Sequence, residues 1–266
     1  MSLVSLMYHE IATGGDQGEA YAVTAESFTK QLDVLTGNDA SSGELPPELA
    51  ASICRGPSSS TAPNKILLTF DDGHVSNHTI ALPLLLERGL EAIFFVTTGN
   101  LAREDFFVDE HVRDLSRQGM LIGSHTHSHQ FLDGLSEDKI REELKLSKSI
   151  LEDVIQQPVH YLSCPGGRYD RRVTAIAAEL GYHGVFTSEP RSSVIQRDLP
   201  VYGRYLIDSS VTSACFERIL RQPFGFVFRK KLESVIKSGV KAALGGRGYH
   251  RLWRKFKSRK GADIQS

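Results

Sequence analysis

Thr69-Phe70-Asp71-Asp72-Gly73 sets two carboxylates side by side, directly after the apolar run Ile66-Leu67-Leu68. An apolar run of this kind reads as a buried strand. Two adjacent carboxylates at its end are costly unless positive charge sits beside them. Read alone, the pair serves equally well as a helix N-cap following a strand. A second cluster tips the reading. His125-Thr126-His127-Ser128-His129 follows another apolar segment, Met120-Leu121-Ile122-Gly123. One Asp and two His make a tripod for a zinc-type ion with open positions, and the other Asp is left to act as a base.

The elements that must carry these groups alternate. Strands are expected at Leu3–Tyr8, Lys65–Phe70, Ala92–Val96, Met120–Gly123, His160–Ser163 and His183–Phe186. Between them, helical spacing of apolar residues predicts helices over Glu26–Leu35, Ser76–Arg88, Phe107–Gln118 and Arg171–Leu180. Another begins at the N-cap Ser136, carries Ile140, Leu144, Leu151 and Val154 on one face, and is stopped by Pro158. The Gly-, Ser- and Pro-rich stretch 36–64 reads as loop with one helical turn near Pro47–Ile53, and the pattern weakens beyond Pro190 until a helix at Val211–Arg221. Alternating strand and helix imply a parallel α/β architecture, either a barrel or an open doubly wound sheet. Both gather chemistry at the carboxyl ends of the strands. Asp71, Asp72, His125, His129 and the turn Pro165-Gly166-Gly167 all follow expected strands, which agrees with one shared mouth.

The 266 residues are 40% hydrophobic and 24% charged, with a formal net charge of -1, which suits one globular domain of enzyme size. No phosphate-loop or dinucleotide glycine motif stands at a strand–helix junction. Cys54, Cys164 and Cys215 lack metal-type spacing and read as reduced thiols. Cys164 reads as a packed thiol rather than a nucleophile. Met1–Glu10 reads as a first strand and not as a signal peptide, so the expected localisation is cytoplasmic. The charge is unevenly placed: Arg229 to Lys260 holds twelve Lys or Arg against one Glu, leaving -12 on the remainder. The chain therefore divides into a body, residues 1–228, and a basic helical tail, residues 229–266. Leu252, Trp253 and Phe256 interleave with Arg251, Arg254, Lys255 and Lys257 in that tail. It reads equally as a solvated extension or as a contact with an anionic membrane surface on the inner face. The acidic body argues against nucleic acid as a partner.

These motifs resemble the polysaccharide deacetylases with a NodB-like domain, the fourth carbohydrate esterase family. Thr69–Gly73 matches the first motif of that family in full, and His125–His129 matches the second. Ser163-Cys164-Pro165-Gly166-Gly167 matches the third at Pro165 and Gly167, and Leu6-Met7-Tyr8-His9 is similar to the opening of many bacterial members. The resemblance covers about Leu3 to Leu220. It implies a distorted (β/α) barrel with about seven parallel strands and metal-dependent removal of N-acetyl groups from a sugar. By position, Asp72, His125 and His129 would bind the metal, most simply Zn2+. Asp71 would be the general base, and the Gly166 N–H would help hold the oxyanion.

The chain also departs from that pattern. The Arg that opens the third motif and orients the base is Ser163 here, with Arg168 or Arg204 as substitutes in space. The usual Asp-to-Trp and Leu-x-His motifs are absent, and with them the usual general acid. His9, at the end of the first strand, ranks first as a replacement, ahead of His74 and His183. The expected substrate is an N-acetylated glycan, and the tail suits a lipid-linked or nascent precursor in cell-surface or exopolysaccharide biosynthesis. Two other readings stay open on sequence alone: hydrolysis of a non-sugar amide or imide, and a non-catalytic carbohydrate-binding protein of the same fold.

Overall fold

The computed structural model describes residues 3–13, 21–36, 53–55, 65–190, 194–196 and 199–221. The basic tail and the helical turn expected near Pro47 lie outside the described residues. Twelve strands run in chain order: β1 Leu3–Tyr8, β2 Glu10–Ala12, β3 Ala22–Thr24, β4 Ile53–Arg55, β5 Lys65–Phe70, β6 Ala92–Val96, β7 Leu121–Ser124, β8 Tyr161–Ser163, β9 Gly184–Phe186, β10 Val194–Gln196, β11 Leu199–Tyr202 and β12 Arg204–Leu206. Eight of these segments are parallel neighbours in the order β11-β9-β8-β7-β6-β5-β1-β12. The two ends of that order, β11 and β12, are separated in the chain by Gly203 alone. One bent segment therefore borders both β9 and β1, and the sheet is a nearly closed barrel. Counted along the chain, β11 and β12 are halves of one seventh strand, as the barrel expectation requires.

The strands are apolar on both faces because both are covered. All five residues of β6 and the last five of β5 are buried. Leu67, Ile93, Phe95, Tyr161, Phe186 and Tyr202 form one packed cluster drawn from five strands. Gly123 makes room for it: a Cβ there would lie 2.4 Å from the Phe95 ring. Helices Ala25–Thr36, Asp109–Arg117, Glu137–Ile155, Arg171–Glu179 and Ser213–Arg221 lie where helical spacing placed them, with ends shifted by one or two residues. The Ser136 hydroxyl accepts from the Lys139 N–H, as the N-cap reading requires.

Three segments differ from expectation. Ile53–Arg55, inside the stretch read as loop, forms β4 and pairs antiparallel with β5. The single helix expected over Ser76–Arg88 is a π-helical turn, Asn77–Ala81, followed by an α-helix, Leu82–Leu86. Wide turns of this kind gather next to functional sites, and this one follows the Asp71-Asp72-Gly73 corner. Beyond Pro190 the chain forms β10, β11 and β12. Segments of three or four residues are too short for a periodic signal.

Candidate active site

The barrel ladder continues one residue past the strand ends and seats the chemistry there. The Asp71 N–H donates to the Tyr8 carbonyl at 2.9 Å, the His125 N–H to Val96 at 2.9 Å, and the Cys164 N–H to Phe186 at 3.0 Å. The chain then turns sharply. Asp72, Thr126 and His129 all have positive φ, at 73°, 66° and 60°. Each such residue costs on the order of 1–3 kcal/mol and persists only where its surroundings enforce it. Here the enforcement is visible. The Thr126 hydroxyl accepts from the His129 N–H at 3.1 Å. Glu143, on the helix Glu137–Ile155, accepts from the His127 and Ser128 N–H groups and from the Ser128 hydroxyl.

These turns bring Asp72, His125 and His129 together. Asp72 Oδ1 lies 3.3 Å from His125 Nε2 and 3.2 Å from His129 Nε2. Among the described residues this is the group of three whose ligand atoms all fall within 4.8 Å. His125 Nδ1 lies 2.8 Å from the Ser163 carbonyl. A carbonyl only accepts, so Nδ1 carries a proton, and when the ring is neutral Nε2 turns a lone pair toward the carboxylate. Asp72 Oδ1 is buried and makes no hydrogen bond of good geometry. Acceptors converging on one point fit a cation. Ligands ~2.0–2.1 Å from a tetrahedral zinc ion lie about 3.3 Å apart, close to the two separations that Asp72 Oδ1 keeps from the rings. Burial works against charge at Asp72, but the nearness of His125 and His129 outweighs it and holds the carboxyl well below the usual carboxylate range. Burial opposes charge on His125 too. Asp71 and then Asp72 outweigh it, so its pKa is raised.

Asp71 has different company. It is buried, and Arg204, with no exposed surface, grips it with both arms: Nη1 donates to Oδ1 at 2.6 Å and Nη2 to Oδ2 at 2.7 Å. Arg204 also donates through Nε to the Thr187 carbonyl and through Nη1 and Nη2 to the Thr69 and Ser163 hydroxyls. The Ser163 hydroxyl donates in turn to Asp71 Oδ2 at 3.1 Å. Beneath, the guanidinium lies 5.3 Å from the Phe95 ring centre and 5.9 Å from that of Phe186, at the top of the barrel cluster. Burial alone would raise the Asp71 carboxyl; Arg204 outweighs it and holds the group ionised below its usual range. Of the two substitutes for the missing third-motif Arg, Arg204 is the one in place. Arg168 bonds Asp133 instead.

His9 follows β1, where burial lowers its pKa while Asp71 and Asp72 act to raise it. Its ring stacks on Tyr21 at 5.1 Å. His74 lies 2.7 Å from the Ser76 hydroxyl. His183 stacks on His160 at the amino end of β9, away from the mouth, and so is removed from the acid candidates. His127 pairs with the Thr98 hydroxyl at 2.9 Å. Gly166 sits in the turn Pro165–Gly167 after β8 with φ 60°, and a Cβ there would lie 2.7 Å from Phe131. Cys164 is buried and its thiol is pushed up to about 12 by burial, as a packed thiol should be. Glu143 and Ser163 were not foreseen as supports. The sign of Arg204 in the sequence is a lone charge inside Val201-Tyr202-Gly203-Arg204-Tyr205-Leu206-Ile207.

Residues 58–185 match the family model described as polysaccharide deacetylase. Over that segment the chain is similar to the polysaccharide deacetylases. It is 26% identical over 211 residues to YxkH of Bacillus subtilis, covering 79% of this chain and 73% of that protein. It is 30% identical over 124 residues to the peptidoglycan-N-acetylglucosamine deacetylase of Bacillus cereus, covering 46% of this chain and 56% of that one. The solved structure of the Streptococcus pyogenes deacetylase PplD in complex with acetate superposes with a TM-score of 0.69 at 24% identity, covering 83% of this chain and 98% of that one. That superposition bears out the barrel fold. Another relative, PdaA of Bacillus subtilis, 29% identical over 130 residues, is named as a peptidoglycan-N-acetylmuramic acid deacetylase.

Proposed function

We propose that the protein is a metal-dependent hydrolase that removes N-acetyl groups from a glycan, with Asp72, His125 and His129 as ligands of a zinc ion. The observation that carries the reading is the pairing of two unlike carboxylates at one strand end. Asp72 is faced by Nε2 of both His125 and His129, and Asp71 is held by Arg204 within 3.7 Å of His125 Nε2. Bound there, zinc lowers the pKa of a water to ~7 and polarises a carbonyl. Asp71, ionised by its guanidinium partner, accepts the proton of the attacking water. The Gly166 N–H donates to the oxygen that becomes negative as the carbonyl carbon turns tetrahedral. His9 gives a proton to the amine as the C–N bond breaks, releasing acetate and a free amino sugar. Burial makes its imidazolium a stronger acid than usual. The substrate in this reading is a nascent or lipid-linked glycan of a cell-surface or exopolysaccharide route, met at the inner membrane face with the basic tail on anionic lipid.

Acetate release from N-acetylated glycans by metal-stripped protein, with and without added zinc, tests the reading. Zinc-dependent release is expected to fall by at least ~10²-fold in Asp71→Asn and in His9→Ala, the scale of a lost acid or base, with stoichiometric zinc retained in both. Zinc bound in full with no acetate released would overturn it, and full turnover in His9→Ala would remove His9 from the chemistry.

A further inference from the structure

Among the described residues, the exposed large hydrophobic side chains are Tyr21, Leu86, Val108, Phe131 and Leu146. The two aromatics among them both border the site. Tyr21, 51% exposed, stacks on His9 with rings 28° from parallel. Phe131, 49% exposed, follows the ligand His129 by two residues and leans over Gly166, with the Arg168 guanidinium 4.8 Å from its ring centre. The position of Phe131 is built rather than incidental: Gly166 has no Cβ, and a Cβ there would meet the ring. Arg168 is in turn fixed by Asp133 at 3.0 Å.

The barrel topology puts the two rings on opposite sides. His9 follows β1 and Gly166 follows β8. With β11 and β12 counted as one strand, these strands are four steps apart in one direction around the barrel and three in the other. With ~4.8 Å between strands tilted by ~36°, a seven-strand barrel is about 14 Å across. That is wider than one pyranose ring. His9 lies against Tyr21 and Arg168 against Phe131, and rings on opposite sides do not form the contiguous apolar patch that a lipid or protein partner would cover. An aromatic face bordered by hydrogen-bonding groups suits the flat, C–H-rich face of a sugar.

Resting on the deacetylase reading, we propose that Tyr21 and Phe131 are sugar platforms on either side of the reacting residue. The site then takes an internal residue of a glycan chain, whose neighbours stack on the two rings, in preference to a single sugar. Each platform makes one terminal contact, so substrate gains from length in two steps.

The test uses zinc-loaded full-length protein and N-acetylglucosamine oligomers of one to five sugars, both β-1,4- and β-1,6-linked. Binding is measured by calorimetry on Asp71→Asn and acetate release on the parent. Affinity is expected to rise with length. Tyr21→Ala and Phe131→Ala are expected each to raise KM for the pentamer by roughly 5–10-fold over any change for the monomer, with kcat less affected. Tyr21→Phe and Phe131→Tyr, which keep the rings, are expected to restore the parent KM. Acetate release without length dependence, or a length dependence unchanged in both alanine variants, would overturn the platforms and leave the hydrolase standing. Length-dependent binding lost in the alanine variants, with no acetate from any oligomer, would support the platforms and overturn the hydrolase.

Discussion

Two constellations in this protein have the same composition, two histidines and an aspartate, and differ in nearly everything else. At the barrel mouth His125 and His129 cross edge to face at 4.9 Å with Asp72 between them. On the outer helices His78 and His111 stack at 4.6 Å, and His78 Nε2 lies 2.8 Å from Asp114 Oδ2. In the outer set the His78 N–H and the carboxylate satisfy each other, and His111 spends its Nδ1 accepting from the Val108 N–H. In the inner set the Ser163 carbonyl takes the far nitrogen of His125, so in the neutral ring the near one is left as an acceptor. Residue types alone do not make a metal centre. Lone pairs must converge, and the groups behind them must hold each ring in one tautomer.

The sharpest way to break the comparison is to remove one residue from each set. His125→Ala should abolish stoichiometric zinc binding in calorimetry, a loss beyond the ~10–100-fold typical of outer partners. His111→Ala should leave zinc affinity unchanged. Equal losses would mean that the ion sits elsewhere.

Next in size is Arg204. Arg204→Met leaves the Asp71 carboxylate buried without its partner, which should cost about 3–5 kcal/mol in chemical unfolding. Arg141→Met, which breaks a surface pair with Glu179, should cost at most ~1 kcal/mol. A mild effect at Arg204 would mean that Asp71 is hydrated or neutral.

Glu143 makes a finer test. Glu143→Gln keeps its shape but weakens the grip on the His127 and Ser128 N–H groups. Zinc affinity should fall ~10–100-fold, the scale of an outer-shell support, with the fold intact by circular dichroism. The smallest effect belongs to the outer set. The pKa of His111 is lowered, by burial and then by His78. A depressed folded value means that the neutral ring favours the fold. Its contribution is present above the unfolded value of about 6.5 and is lost as pH falls through the lower folded one. The melting temperature should decline from pH 7 to pH 5, and His111→Gln should make that decline shallower.

Much of the fold was legible because its signals are local. The apolar runs of β1, β5 and β6, the helical spacing across Glu137–Ile155 and the cap at Ser136 each need only a few adjacent residues. The deacetylase motifs are local as well, since Asp71-Asp72-Gly73 and His125–His129 each come from one turn. The π-turn at Asn77–Ala81 was not legible, because its spacing of apolar residues imitates an ordinary helix. Nor were β11 and β12. Their partners are β9 and β1, the latter some two hundred positions away, and no local pattern encodes such a pairing.

The sequence by itself determined the chemical types at the mouth, the order of the strand ends that present them, and the family to which they point. It did so because metal ligands and turn residues are specified residue by residue. The tertiary structure alone decided who stands beside whom. Arg204 and His9 both lie outside the segment 58–185 that matches the family model, and barrel closure brings Arg204 onto Asp71 and His9 to the mouth. It also set Tyr21 beside His9 and Phe131 beside Gly166, on opposite sides of the barrel. Such proximities follow from the order in which strands pair around a closed sheet, and that order is fixed by the packing of the whole core rather than by any one stretch of chain.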